Sequence, residues 1–585
     1  MRIIFFPKYI ISANSKEYSL KNCSLVIDGQ NFFYDSYEES KLTYVFGSEA
    51  NEHAKYLRKK LTMFKETKVK CYFVFKGGDT DMDKKVTRFK VGYDFEDPKY
   101  VPPVFFIEVC KQILEETGVN YTTSVMENKE DCAALAHSLG CAVMSDDIDY
   151  CFMNVPYILS RTIKYSQGQK GIMCKQFNLD YFLKKHGLTH KKLATFAVLA
   201  DVKGFPEGHF NNLLKSFDIL NQNLYEQIKA LLKWLAGQRE DEIQSKVLDF
   251  LTKDDEKKLF LDRVQTILRS MENRQGSVVT DYLYNNRNLS VSRTDQFWFE
   301  KGVATQNIAI HYINLYKHKH IEGSWAIEKK DSTDSLMLSI DIIKYAYNLL
   351  TNFQITDIYV YNQSETSVIV NTKDTKVRKP EYQCRESVFE NGWEGLKHLK
   401  LFEHFLSEND INTEIINKFP MEGRTLFISL TYFARKKASK NIDVSKEVYC
   451  VIISYVMLHY VFDKDNSLRK KHSGINKTDS AEAIKATKKY FETIRQETYQ
   501  IFDGNKLKTL VELQYCLLHM NNLNALCGSS FTVMKYHRTF NGTFVYKLLL
   551  DLTDSENNGF IESLFQTAPS VLNFMPLTLS IICEK

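Results

Sequence analysis

Between Tyr121 and Phe152 the chain reads YTTSVMENKEDCAALAHSLGCAVMSDDIDYCF, a stretch whose periodicity admits few folds. It predicts a short strand from Tyr121 to Val125, an acidic turn with Glu127, Glu130 and Asp131, and an amphipathic helix from Cys132 to Leu139. A buried strand from Cys141 to Met144 and a turn carrying Asp146, Asp147 and Asp149 complete a βαβ unit. Open parallel sheets built from such units hold ligands at the carboxyl edge of their strands. Carboxylates placed just past two neighbouring strands therefore converge on one cleft, and hard divalent cations take such oxygen ligands. Lys129 interrupts the first acidic turn with the opposite charge.

Other stretches supply the neighbours this unit needs. A buried strand from Ser24 to Ile27 ends at Asp28 and is followed by Gly29, Asn31 and an apolar helix. A basic amphipathic helix over 53–66 precedes a second buried strand, Val69 to Phe75, which ends in Lys76, Gly77 and Gly78. A helix is predicted around Phe105 to Thr117, and two helical segments flank the turn KKHGLTHKK before LATFAVLADVKGF, with Asp201, Lys203 and Gly204. From about residue 210 apolar positions recur at helical spacing. Alternating β-branched residues between Ile355 and Lys373 read as a hairpin, and the basic segment 373–383 reads as a linker. The expected layout is an α/β domain over 1–205, a mostly helical region over 206–372 and a helical carboxyl-terminal region over 384–585.

A chain of 585 residues exceeds one ordinary core and predicts two to four domains. Its net charge of +5 permits a nucleic-acid partner without demanding one. The twelve cysteines are scattered singly, without zinc spacing, and read as reduced thiols of an intracellular protein, cytoplasmic or nuclear. The longest apolar run, Val448 to Phe462, falls short of the roughly 20 residues of a membrane helix and predicts a buried helix instead. The start MRIIFFPKYI is too short in apolar residues for a signal peptide.

Five separated motifs stand out: VIDG (Val26 to Gly29), FKGG (Phe75 to Gly78) with the following Asp83 to Lys85, EDCAALA (Glu130 to Ala136), SDDIDY (Ser145 to Tyr150) and TFAVLADVKG (Thr195 to Gly204). In their order and spacing they resemble the asteroid family, a branch of the flap-endonuclease and XPG-like nucleases with a PIN-like fold. The likeness is most specific over the first 205 residues and looser over the helical remainder, where GLKHLKLFEHFL and ELQYCLLHMNNLNALC carry it.

The resemblance implies a phosphodiesterase cleft in which two Mg²⁺ ions are held by acids. Carried over position by position, the family's acids fall on Asp28, Lys76, Glu127, Lys129, Asp147, Asp149 and Lys203. Four acids remain and three have become lysines, so a set that would carry −7 carries −1. An ammonium about 4 Å from a dication is repelled by several kcal/mol even at an effective dielectric of about 20. The chain also has Arg2 where the family begins Met-Gly, and no glycine-rich helix-hairpin-helix follows Lys203.

Two readings of Asp28, Glu127, Asp147 and Asp149 follow: a residual metal or phosphate site, or a relic cluster neutralised by Lys76, Lys129 and Lys203. A rebuilt site drawing on Asp79, Asp81, Asp131 or Asp201 is the third arrangement to test. Basic stretches at 56–61, 190–192, 433–440 and 468–472 suit a phosphate backbone or simply solvated helix faces. The expectation is a catalytically impaired nuclease fold, a pseudo-nuclease binding nucleic acid or protein, with no cofactor. The alternative is an active Mg²⁺-dependent structure-specific DNA endonuclease, and the third is an adaptor in growth-factor receptor signalling. No membrane association is expected.

Overall fold

The computed structural model describes residues 3, 6–80, 103–166, 171–201, 211–216, 223–272, 277–285, 295–323, 335–354, 356–361, 367–372, 389, 392–462, 474–492, 503–554 and 559–574. The chain forms two compact units that interleave along the sequence, whereas the divisions expected from periodicity run in succession. The first comprises Met1–Phe32, Lys60–Lys76 and Val119–Leu289, and the second Phe33–Lys59, Gly77–Gly118 and Ser290–Lys585. The expected linker over 373–383 lies outside the described residues.

The first unit is built on an eight-stranded sheet of β1 (Ser15–Leu20), β2 (Ser24–Asp28), β3 (Lys70–Phe75), β4 (Asn120–Thr123), β5 (Ala142–Ser145), β6 (Tyr157–Leu159), β7 (Lys164–Ser166) and β8 (Gly171–Phe177). Its order is β1-β8-β6-β5-β2-β3-β4, with β7 beside β8. The pairs among β2 to β6 are parallel, and β8 runs antiparallel to β1, β6 and β7. The expected α/β class with a mostly parallel sheet is therefore what the chain adopts. β2 occupies the middle because SLVID is apolar on both faces: Leu25, Val26 and Ile27 are wholly buried.

The opening stretch folds as a βαβ unit with shifted boundaries. Its helix runs from Lys129 to Leu139, three residues earlier than expected, because Asn128 starts it and Lys129, Glu130 and Asp131 form its first turn. It ends at Gly140, whose φ of +58° is a left-handed value that glycine adopts without steric penalty. A 3₁₀ turn, Ile148–Phe152, follows β5. The antiparallel β1, β7 and β8 had no counterpart in the expected elements; β1 carries four exposed residues in a row, β7 has three residues, and β8 exposes Met173 where an alternating pattern would place a polar residue, so their period is faint.

The second unit is mostly helical. Helix Gly504–Leu526 is its centre and is buried around nearly its whole circumference, packed by helix Arg424–Ala438, the 3₁₀ turn Ser335–Ser339 and helix Ile340–Leu350. The apolar run after Val448 forms helix Ser445–Val456 and a π turn, Met457–Val461, both buried. The expected hairpin is present as β10 (Asp357–Tyr361) and β11 (Ser367–Asn371), with β9 (His320–Glu322) added in parallel to β10. Among the described residues no helix is long and apolar enough to cross a membrane.

Candidate functional site

Three parallel strands of the first unit end side by side and deliver the chemistry. β2 ends at Asp28, β3 leads into Lys76, and β5 leads into the turn that carries Asp147 and Asp149. The helix after β4 adds Asn128 and Lys129 at its start.

Asp28 is 2% exposed and its carboxylate is surrounded by donors. Oδ1 accepts from the Asn128 side-chain amide (3.1 Å) and the Asn31 backbone N–H (3.4 Å). Oδ2 accepts from the Asn31 side chain (2.8 Å), the Ser145 hydroxyl (3.1 Å) and the Tyr150 hydroxyl (3.3 Å). A carboxylate offers about four lone-pair directions, so these donors leave none for a cation. The Asn128 amide also donates to the Val74 carbonyl at 2.9 Å, and Ser145 Oγ accepts from the Asp147 backbone N–H at 3.1 Å. Strand ends and turn are thereby locked to one another by neutral groups.

Lys129 lies between the two later acids. Its Nζ is 2.7 Å from Asp147 Oδ2 and also bonds Asp149 Oδ2. Burial opposes the ammonium's charge, but Asp149 and Asp147 outweigh it and hold the lysine pKa above its ordinary value. Lys76 pairs with Glu127 at 2.8 Å. Of the seven positions carried over from the resemblance, six are described and Lys203 lies outside the described residues. The six resolve into a hydrogen-bonded Asp28, a Lys76–Glu127 pair and a Lys129–Asp147–Asp149 triad.

The acids that a rebuilt site would need are used elsewhere. Asp131 accepts from the Ser277 hydroxyl, and Asp201, 7% exposed, is 3.2 Å from Arg263 Nη1. Asp79 belongs to the second unit, where Asn314 bonds both its backbone N–H (2.8 Å) and its carboxylate (3.1 Å). Asp81 lies outside the described residues. Among the described residues no three His, Cys, Asp or Glu side chains are grouped to hold a metal. The pair of divalent cations that the resemblance implies does not fit the residues as they stand, because an ammonium fills the position between Asp147 and Asp149. Beside the triad a cavity of about 380 Å³ is lined by Glu130, Asp149, Asp201 and Arg263 over Phe152 and Val198.

Sequence reasoning missed the donors to Asp28. Ser145 and Tyr150 stand inside the SDDIDY motif and Asn31 stands three residues after Asp28, and a polar residue at the end of a buried strand, as Ser145 is, is the signal that would have drawn attention to it. Arg263 and Ser277 come from distant helices and leave no local signal.

Residues 424–584 match the model of the Asteroid N-terminal domain. Over that segment the chain is similar to the asteroid proteins. The matched residues belong to the second unit and include ELQYCLLHMNNLNALC (512–527), one of the two segments that carry the looser likeness, whereas GLKHLKLFEHFL (395–406) precedes them. A protein of Danio rerio named single-strand DNA endonuclease ASTE1 is 28% identical over 247 residues, which is 38% of this chain and 35% of that protein. Protein asteroid of Drosophila melanogaster is 26% identical over 160 residues, 26% of this chain and 19% of that protein. The matched stretches thus span about a third or less of the length of these relatives. Among solved structures, human GEN1 in complex with Holliday junction DNA aligns at 14% identity over 70% of this chain and 99% of that chain, with a TM-score of 0.31. The catalytic core of Rad2 in complex with DNA substrate aligns at 15% identity over 47% of this chain and 90% of that chain, with a TM-score of 0.29.

Proposed function

We propose that this asteroid relative is a pseudo-nuclease, a nuclease-fold protein that binds nucleic acid without cutting it. The observation that carries the reading is the Lys129 ammonium bonded to both Asp147 and Asp149, where hydrolysis would require a divalent cation. The saturated Asp28 carboxylate supports it, since a ligand with no lone pair to give cannot complete a metal shell. Nucleic acid as the partner is supported by the basic balance of +5 and by the replacement of three acids that would repel phosphate. An intracellular place, cytoplasmic or nuclear, belongs to the same reading; the ten cysteines among the described residues are free thiols.

The second reading is an active metal-dependent endonuclease, favoured by the Danio rerio relative, which is named a single-strand DNA endonuclease. Calorimetric titration of the full chain with Mg²⁺ and Mn²⁺, beside a cleavage assay on single-stranded and branched DNA, separates the two. The pseudo-nuclease reading expects no metal-binding heat and no cleavage. Cleavage by the natural chain that disappears in Asp147→Ala would overturn it.

A further inference from the structure

One flank of the first unit carries aromatic and basic side chains that the cleft does not use. β1 is the edge strand of the sheet, and Lys16, Glu17, Tyr18 and Ser19 are exposed along it. The Lys16 ammonium lies 4.2 Å from the centre of the Tyr181 ring, and that of Lys185 lies 5.9 Å from the same centre. Tyr181, on helix Leu179–His186, is 40% exposed, and Tyr18 is 37% exposed. The surface continues past His186, whose Nε2 is 2.8 Å from Asn14 Oδ1 and whose ring is 5.9 Å from that of Tyr9. Tyr9 in turn stands 5.4 Å from Tyr225 of helix Leu224–Gly237, over which Lys229 places its ammonium at 4.8 Å. A groove of about 380 Å³ opens there, with Lys8, Ser12 and Tyr225 on its walls.

The charges favour an anionic occupant. Glu226 is paired with Lys229 at 3.0 Å, and Lys175, opposite Glu17 in the β1–β8 register, bonds the Ile11 carbonyl at 2.8 Å. Glu17 and Asp180 remain against Lys8, Lys16, Lys184 and Lys185. The rings narrow the occupant further. Lysine-to-tyrosine contacts at an exposed site are weak, and both partners exchange readily for a base on the ring and a phosphate on the ammonium. Single-stranded nucleic acid offers bases and phosphates together. A duplex hides its base faces, and an acidic peptide would engage the lysines and leave the rings unused.

We propose that this flank binds single-stranded nucleic acid, with bases on Tyr181 and Tyr18 and phosphates on Lys8, Lys16 and Lys185. The site shares no residue with the Lys129 cluster, so it stands whether or not the cleft cuts. Anisotropy titration of a labelled oligothymidylate with the full chain, at several salt concentrations, tests it. Tyr181→Ala is expected to weaken binding about tenfold at every salt, from the loss of one stacked base. Tyr181→Phe, which keeps the ring, is expected to bind as the natural chain does. The double variant Lys16→Ala/Lys185→Ala is expected to flatten the salt dependence by about one to two phosphate contacts. All these side chains are exposed, and far-ultraviolet circular dichroism melts check that each variant is folded. Unchanged affinity in both Tyr181→Ala and the double variant would overturn the proposal. So would tighter binding of a duplex or a polyglutamate peptide through these same residues, or failure of the chain to bind the oligonucleotide at all. The site rests on the nucleic-acid half of the proposed function: unchanged affinity in the variants overturns the site alone, whereas failure to bind the oligonucleotide at all overturns both, and neither outcome touches the metal titration.

Discussion

Lys129 shows how one residue sets the chemistry of a cleft. Its pKa is raised, so its stabilising effect is complete below the unfolded value of about 10.4 and is lost only as pH rises through the folded value. At any physiological pH a metal would have to displace a permanently charged group. Lys129→Met should leave Asp147 and Asp149 without a counter-charge and cost about 3 kcal/mol in urea denaturation. In that variant millimolar Mg²⁺ is expected to raise Tm, while the natural chain's Tm stays unchanged; equal responses would refute the role given to Lys129. His53 in the second unit is a different case. It is fully buried against the rings of Tyr37 and Phe106, neither ring nitrogen has a hydrogen-bond partner among the described residues, and burial pushes its pKa down to about 3. The folded chain keeps it neutral while the unfolded chain protonates near pH 6.5. Its stabilisation is therefore full above that pH and falls by about 1.4 kcal/mol for each unit below it, down to about pH 3. Denaturation at pH 7.5 and 5.5 should show a smaller acid loss for His53→Phe than for the natural chain.

At the scale of elements, the long helix Gly504–Leu526 carries polar groups into a buried position and pairs only some of them there: among the described residues Gln514 Oε1, His519 Nδ1 and Asn522 Nδ2 have no hydrogen-bond partner. Its Glu512 pairs with Lys437 of helix Arg424–Ala438, and the two side chains are 9% and 7% exposed. Breaking such a pair costs more than replacing it. Lys437→Met alone is expected to lose about 3 to 5 kcal/mol, and Lys437→Met with Glu512→Leu much less; a double-mutant cycle measures the difference. Gln514 on the same helix lies against Gly47, which has a φ of +99° and where an added Cβ would come within 1.9 Å of the Gln514 side chain. Gly47→Ala combines that clash with a strained backbone and is expected to lower Tm by several degrees. The helix itself was readable in ELQYCLLHMNNLNALC from its apolar spacing. Its central place was not, because low amphipathicity says that a helix is buried without saying by what.

For the molecule as a whole, the decisive fact is that the compact units interleave. The expected domain over 1–205 leaves out helices Asp254–Glu272 and Val278–Tyr284, which pack on helix His190–Ala200 and on helix Lys129–Leu139 respectively. It also includes segments 33–59 and 77–118, which belong to the second unit. A fragment ending at residue 205 is thus expected to lack a cooperative thermal transition in calorimetry. A fragment that melted cooperatively would show that the later helices are dispensable.

The local sequence by itself determined the central strands and the βαβ unit around residues 121–152, because periodicity is a property of short stretches, and it placed lysines at three positions where the family resemblance implies acids. Tertiary structure alone decided how those charges pair. Lys129 could have turned to solvent, and Asp28 could have kept a free lone pair. Which of these occurs depends on Asn128, Ser145 and Tyr150 reaching Asp28 from separate elements, and on Asp147 and Asp149 meeting the ammonium from a neighbouring strand's turn. Such contacts join residues up to 122 positions apart, and desolvation makes each buried charge find its partner across that distance.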